Sequence, residues 1–420
     1  MPRVKVWIAN INEPLPTDPG QPRLWRMGQV FQLLRARGHD VTWWSSTMHH
    51  FEKKLRYQES TLIEVDSAAR VFHLHGRFYG RNISLDRFLN HREVGREFRR
   101  LSGEHPVPDV ILASIPILDL PREAAVYASS HSIPLVIDIR DKWPDFMVDQ
   151  APSLARPLAR QVLRPLFRDA QIACRGARAV WGVTPGFVQW GLAHAGREAG
   201  PLDRDFPHAY PDTSLPDDLL HGAGQFWDDL GVRADDELPT ICFIGSFNFT
   251  AFDFSTLVEG MRQLEGQARL VFCGSGVGEE RLRGLAQGTS SIIFSGWVDE
   301  PALRVIMQRS VMGVTPYRNN ANFTENLPNK FLEYLSQGLP VVSCLEGYSR
   351  QVLEPAGVGL FYREGDTEGF VRSVRTLLTR EELREQMGRQ AHELFAANFR
   401  ASTVYGAMID ALEGLVAADL

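Results

Sequence analysis

Two open parallel α/β domains joined by a connector are the fold class predicted by this 420-residue sequence. Three observations carry the prediction. The chain is longer than one ordinary core fills, so two domains of roughly 200 residues are expected. Short apolar runs alternate with helix-periodic segments in two separate series, the pattern of parallel βα units. Between the series lies "GPLDRDFPHAYPDTSLPDDLLHG", residues 200–222, rich in proline and aspartate and without periodicity, as a linker is.

The first series opens with "VKVWIANI". A helix carrying apolar Trp25, Val30, Leu33 and Leu34 follows, ends at Gly38 and leads into a strand over 41–45. Further strands are expected at 109–115, 134–140 and 177–184. The second series places strands at 239–247, 268–276, 291–298, 311–317, 340–344 and 358–363, and the tail from Glu381 reads as helix throughout. These readings divide the chain into a first domain, 1–205, a linker, 206–237, and a second domain, 238–395. The final helix, 396–420, is expected to pack back on the first domain. Open parallel sheets bind ligands at the carboxyl ends of their strands, so two such domains are expected to face each other across a cleft.

Composition narrows the class. An apolar fraction of 44% with 23% charged residues is that of a globular protein. The start runs straight into a strand without a secretory signal pattern, and no apolar run approaches the ~20 residues of a membrane span. The four cysteines, Cys174, Cys242, Cys273 and Cys344, are far apart and mostly in apolar runs, which points to buried thiols in a reducing cytoplasm. The net charge of −6 is uneven. Residues 1–200 hold 27 Lys+Arg against 20 Asp+Glu, and the remainder 18 against 31. A basic half on an acidic chain fits an anionic partner, phosphate or membrane surface, or simply a solvated face.

The stretch with most chemistry is "NFTENLPNKFLEYLSQGLPVVSCLEG", residues 322–347. Pro328 suits the first turn of a helix, with Asn326 or Thr324 as cap, and Gly338 with Pro340 ends that helix. The first-turn N–H groups near Asn329, Lys330 and Phe331 lack intrahelical acceptors and, with the helix dipole and the Lys330 ammonium, make a phosphate site. Glu333 lies one turn on, on the face of Asn329, and Glu325 precedes the helix, so both carboxylates can take hydroxyls. A cation and amides for phosphate, flanked by carboxylates, describe a nucleotide-sugar site.

"ENLPNKFLEYLSQGLPVV" resembles the E-x7-E segment of family 4 retaining glycosyltransferases, which have the GT-B fold of two Rossmann-like doubly wound domains. The likeness is greatest to the bacterial polysaccharide-biosynthesis branch. "RLWRMGQVFQLLRARGHDVTWWSS" resembles that branch's first helix and strand. "FYGRNISLDRFLN" looks like its Tyr-x-x-Asn-x4-Arg loop, and "DIRDKWPDF" is similar to its RDxWP motif. The run from "LVFCGSGVGEERLRGLA" through "IIFSGWVDEPALRVIMQRSVMGVTPY" follows the same order. The resemblance implies that Glu333 binds ribose hydroxyls, Glu325 the donor sugar and Lys330 the diphosphate. The backbone at Val298 would read the base edge, while Gly245 and Ser246 bring backbone close to the diphosphate. Two departures stand out. The loop "GSFNFTAFDFSTL" has no cation where many relatives place Arg or Lys, leaving Lys330, Arg318 or Arg26 to supply it. "LASIPILDLP" lacks the histidine often found after the fourth strand.

Other signals are weighed against plainer readings. The glycines of "CGSGVGEER" fit a tight turn lining a diphosphate site better than a dinucleotide fingerprint, which needs the first strand and a downstream acid. "RDKWPD" puts Arg140, Asp141 and Asp145 at a strand's carboxyl end. There Arg140 and Asp141, with Arg87 of the earlier loop, are candidates for acceptor binding and Asp141 for a base; a buried Arg–Asp pair is the plain alternative. Arg156, Arg160, Arg164 and Arg168 recur every four residues beside Leu158, Leu163, Leu166 and Phe167, with Pro157 and Pro165 interrupting. That segment is a lipid-facing surface or a solvated one. His49, His50, His73 and His75 lack companions at metal-ligand spacing, so neither metal nor other cofactor is expected. Trp43, Trp44, Trp181 and Trp190 read as core or cleft lining rather than a nucleic-acid platform.

The expected function is a retaining transfer of a hexose-type sugar from a nucleotide diphosphate, UDP first, to a hydroxyl of a glycan or lipid-linked glycan. Lys330, Glu325 and Asp141 form the catalytic set, and lobe closure positions the acceptor. The expected setting is cytoplasmic, with peripheral contact at an anionic inner membrane face. The rivals are a sugar-nucleotide 2-epimerase on the same scaffold and a catalytically silent subunit that binds a partner transferase.

Overall fold

The computed structural model describes residues 3–20, 22–211 and 214–418. It forms two compact units, Met1–Pro207 with Thr403–Leu420, and His208–Ser402.

In the first unit the strands are β1 (Lys5–Ala9), β2 (Asp40–Ser46), β3 (Met48–His49), β4 (Lys54–Leu55), β5 (Thr61–Glu64), β6 (Ala69–Leu74), β7 (Val110–Ile115), β8 (Leu135–Ile139), β9 (Ala179–Gly182) and β10 (Arg204–Asp205). Eight of them form one sheet in the order β10-β9-β8-β7-β1-β2-β6-β5, and β3 pairs with β4 in a separate hairpin. All neighbours in the sheet are parallel except β5, which runs antiparallel to β6 from Thr61 opposite His73 to Glu64 opposite Arg70. The central strands read as continuous apolar runs because helices cover both faces. One face buries Trp7, Trp44, Phe98 and Tyr127, whose rings meet edge-on or stacked at 4.9–6.2 Å. The hairpin and the edge pair β5–β6 were not legible from periodicity: "TLIE" is a four-residue edge strand, and β6 carries a buried histidine, His73.

The second unit holds β11 (Thr240–Ile244), β12 (Arg269–Cys273), β13 (Ile292–Gly296), β14 (Ser310–Thr315), β15 (Val341–Ser343) and β16 (Gly359–Phe361). Their order is β13-β12-β11-β14-β15-β16, every neighbour parallel. This is the doubly wound order, and the connections reverse direction between β11 and β14. At such a reversal the loops leaving the two strands part and expose a crevice at the carboxyl ends. Phe243, Phe254 and Phe272 pack in the core beneath it.

Within the aspartate- and proline-rich stretch lies a helix, Asp217–Asp229, whose Trp227 is fully buried and donates its indole N–H to the Ala302 carbonyl at 2.8 Å. One buried indole anchors a helix whose other side chains mostly face outward, and for that reason its period is weak. The arginine-rich segment is two helices, Arg156–Val162 and Arg164–Arg175, each with its proline in the first turn. The last helix spans Ala401–Ala418; in the first unit Asp410 accepts from Arg37 Nη1 at 2.6 Å and Glu413 contacts His39 at 2.8 Å. No helix among the described residues is long and apolar enough to cross a membrane.

Candidate functional site

In the second unit the carboxyl ends of β11 and β14 receive the amino end of the helix Asn329–Ser336. Pro328 is the cap residue rather than a first-turn residue, with ψ of 148° and no side-chain cap bond. Neither expected cap serves: the Asn326 side chain accepts from Leu327 N–H at 2.8 Å, and the Thr324 hydroxyl donates to the Asn320 carbonyl at 3.1 Å. Without a capping oxygen, the first-turn N–H groups are left for a ligand. Phe331 is the exception, since its N–H already reaches the Pro328 carbonyl at 3.1 Å. Asn329 is exposed and Phe331 fully buried, so the turn is anchored by one side chain and open at the other.

Tyr334 fixes this helix on the sheet. Its hydroxyl donates to the Cys242 carbonyl at 3.2 Å and accepts from Ile244 N–H at 3.1 Å, closing the end of β11. Its ring lies flat on β14: a Cβ on Gly313 would stand 2.5 Å from it, so glycine is required there. The sequence pattern singles out the carboxylates and lysine of this segment but carries no signal for the role of Tyr334, although it stands next to Glu333.

Lys330 is half-buried and reaches back over β11. A Cβ on Gly245 would lie 2.4 Å from its Cε and 2.5 Å from its Nζ, and Gly245 has φ of +144°, a conformation that glycine adopts freely. The ammonium therefore rests on the backbone of the first loop residue after β11. Around it stand Phe252, Tyr317 and Phe243 at 4.4, 5.2 and 5.6 Å, and the Tyr317 hydroxyl is 3.3 Å away. Burial lowers the Lys330 pKa to about 8, and the Glu333 charge pulls partly the other way. An ammonium held by ring faces keeps its charge available, whereas a carboxylate partner would neutralise it. This aromatic wall had no signal in the sequence beyond the Pro-Tyr pair that ends the β14 run.

Glu333 is buried, one turn beyond Asn329. Glu325 is half-buried and closes the short helix Ala321–Thr324. The loop after β15 turns against it: a Cβ on Gly347 would lie 2.1 Å from the Thr324 carbonyl oxygen. Ser246 is exposed beside Gly245, and Val298 is buried behind the exposed Trp297 at the end of β13. The glycines after β12 serve packing: Cβ atoms on Gly274, Gly276 and Gly278 would stand 1.9, 2.8 and 2.7 Å from backbone of Gly245 or Phe247. Two cations adjoin the loop that lacks one. Arg318 donates to the Phe249 carbonyl at 2.9 Å and pairs with Glu364 at 3.2 Å, while Arg281 lies over the Phe249 ring at 4.0 Å. Arg26, the other expected substitute, is excluded, because it is buried in the first unit and bonded to both oxygens of Asp138 at 2.8 and 2.9 Å.

In the first unit the loop after β8 carries the RDxWP residues. Arg140 is bonded to Glu13, whose other oxygen accepts from Met27 N–H at 3.0 Å, and so it ties three segments together. Asp145 is likewise engaged, accepting from Trp190 Nε1 at 2.8 Å and from Arg160 at 3.2 Å. Asp141 differs: burial raises its pKa to about 6, and its Oδ1 is buried without a hydrogen-bond partner. A carboxyl poised near 6 suits proton transfer near neutrality. Arg87, from the Tyr-x-x-Asn-x4-Arg loop, places its guanidinium 5.3 Å over the Trp143 ring, so the two motifs meet. All four cysteines are buried free thiols. No cluster of three or more His, Cys, Asp or Glu suited to a metal occurs among the described residues.

The two parallel, doubly wound α/β units make the fold GT-B, as the solved structures below bear out. Residues 238–380 match the family model described as glycosyl transferases group 1. The lipopolysaccharide core biosynthesis glycosyltransferase LpsE of Rhizobium meliloti (strain 1021) is 27% identical over 179 residues, 42% of this chain and 50% of that protein. The chain thus spans half the length of this relative. Among solved structures, the sucrose-phosphate synthase of Thermosynechococcus elongatus superposes with a TM-score of 0.75 at 17% identity, covering 99% of this chain and 100% of the other. Anabaena HepE in complex with UDP-glucose superposes at 0.66 with 14% identity, covering 98% and 100%.

Proposed function

We propose that the protein is a retaining family 4 glycosyltransferase that moves a hexose from a nucleotide diphosphate, most simply UDP, to a hydroxyl of a glycan or lipid-linked glycan. One observation carries the reading: the Lys330 ammonium rests on Gly245 beside an uncapped helix amino end at the reversal point of the second sheet. Developing negative charge on a departing diphosphate meets there a cation and N–H dipoles already in position, and such preorganised donors are the usual main source of rate in group transfer. Glu333 would take ribose hydroxyls and Glu325 the sugar, with Asn329, Ser246 and the backbone at Val298 completing the donor site, while Phe331, its N–H taken by the Pro328 carbonyl, anchors the turn rather than binding the donor. UDP is favoured because a neighbour of the same fold was solved with UDP-glucose. Asp141 would accept the acceptor's proton, and Arg140 would position that loop rather than touch substrate.

Peripheral contact with an anionic membrane belongs to this reading. Leu154, Leu158 and Val162 are 97, 68 and 69% exposed, and the helix Arg156–Val162 buries none of its residues. Arg156, Arg160, Arg164 and Arg168 accompany them with no acid between residues 150 and 168. Co-sedimentation with phosphatidylglycerol vesicles that persisted in Leu158→Glu would remove this element.

The test of the main reading is a survey of UDP, GDP and dTDP and their sugars by thermal shift and donor hydrolysis. A shift confined to one nucleotide, with turnover of its sugar and retained anomeric configuration in the product, is the expected result. The cation-free loop favours one rival, a catalytically silent subunit; nucleotide binding without turnover of any donor would establish it.

A further inference from the structure

The hairpin β3–β4 and the loop before the helix Leu85–Leu101 meet in the first unit at Tyr79 and Asn82. Lys53 Nζ donates to the Asn82 side-chain oxygen at 2.5 Å and to the His50 carbonyl at 2.6 Å. Arg87 Nη1 donates to the Asn82 carbonyl at 2.6 Å. Two cations from separate segments thus converge on one neutral residue. Among the described residues neither has a carboxylate partner, although Lys54, Arg56 and Arg77 nearby are all paired with acids. The convergence is unfavourable for the protein alone. Burial, and then the Arg87 charge, lower the Lys53 pKa, and Arg87 Nε is buried without an acceptor. Lys53 also has φ of +52°, uncommon for a residue other than glycine.

We propose that Lys53 and Arg87, bridged by Asn82, bind a phosphoryl group of the acceptor. The proposal rests on the transferase reading above and names the chemistry of its acceptor. Two fixed positive charges match a phosphoryl dianion, and the planar guanidinium offers paired donors to its oxygens. The floor is aromatic: Tyr79 lies 5.2 Å beneath the Lys53 ammonium and Trp143 5.3 Å beneath Arg87. Trp143 also hydrogen-bonds Asp141, so a phosphoryl group held here places its substituents beside the proposed base. The imidazole of His50 accepts or donates at 2.8 Å to Tyr79 and stays neutral, with a pKa lowered to about 3 by burial and by Lys53 and Arg87. It therefore fixes the floor without adding charge.

The phosphoryl group can belong to a soluble sugar phosphate or to a lipid phosphate, and the rim bears on the choice: Phe51 and Ile83 beside the cations are 51 and 92% exposed. The experiment is calorimetric titration of the full chain with inorganic pyrophosphate, with UDP in excess to occupy the donor site. Saturable binding is expected, weakened about tenfold or more in Lys53→Gln and again in Arg87→Gln, and unchanged in Lys54→Gln. Melting curves of each variant check the fold, and Arg87→Lys should restore part of the affinity. Geranyl diphosphate that binds more tightly than pyrophosphate, with the gain lost in Ile83→Ser, assigns a lipid source; equal binding assigns a sugar phosphate. No saturable binding, equal affinity in the double variant, or displacement by glucuronate as effective as by phosphate would overturn the proposal. UDP binding is read separately in the same instrument, and the dependence on Lys53 and Arg87 is measurable with or without it, so the two readings fail independently.

Discussion

Each unit brings positive charge to the carboxyl end of a central strand, and the two units treat it in opposite ways. Beside β8, Arg26 and Arg140 are consumed by Asp138 and Glu13: all four charges are buried or nearly so and answer one another. Beside β11, Lys330 faces ring carbons and a glycine backbone, with Glu333 the charge that partly offsets the effect of its burial. Both arrangements cost desolvation. In the first, the charges hold loops together; in the second, the charge is the one that the proposed function assigns to an incoming diphosphate. The difference lies in the partners each charge meets rather than in residue type or exposure.

Variants can break this contrast, and the largest effect is expected in the structural network. Asp138→Ala leaves the Arg26 guanidinium buried and unanswered, a change that typically costs about 3–5 kcal/mol. The midpoint of denaturant unfolding should fall accordingly, with nucleotide affinity little changed in whatever remains folded. Lys330→Ala should do the reverse. Removing one charge-stabilising donor typically lowers turnover by about 10²–10³-fold. The melting temperature should hold or rise, because a desolvated ammonium is gone; full activity in this variant would refute the site. Tyr334→Phe sharpens the comparison, since it leaves the buried Ile244 N–H unpaired at a cost of about 1–3 kcal/mol. Loss of donor affinity beyond the loss of stability would show that the helix Asn329–Ser336 must be seated for Lys330 to act.

The smallest effect is on the pH profile. With Asp141 titrating near 6 as a base, kcat/KM should rise with pH through that value; with Lys330 titrating near 8 as a required cation, it should fall above it. Asp141→Asn should lower activity and abolish the rising limb, while Lys330→Arg, always charged, should abolish the falling one. A flat profile between pH 5 and 9 in the unmodified protein would show that neither group titrates in the rate-determining state.

The sequence by itself determined the parallel α/β class, most strands of both sheets, and the segment around Lys330. These follow from local rules: strands covered on both faces must be continuously apolar, and a helix is bounded in sequence by proline at its amino end and glycine past its carboxyl end. Tertiary structure decided which charges are free. That Arg26 is locked to Asp138, 112 positions away, that Lys330 rests on Gly245, and that Lys53 and Arg87 converge on Asn82 depend on side chains brought together across loops of no fixed period. A sequence states where a charge is attached; only packing fixes what lies within a few ångströms of it, and the energy of a charge is set at that distance.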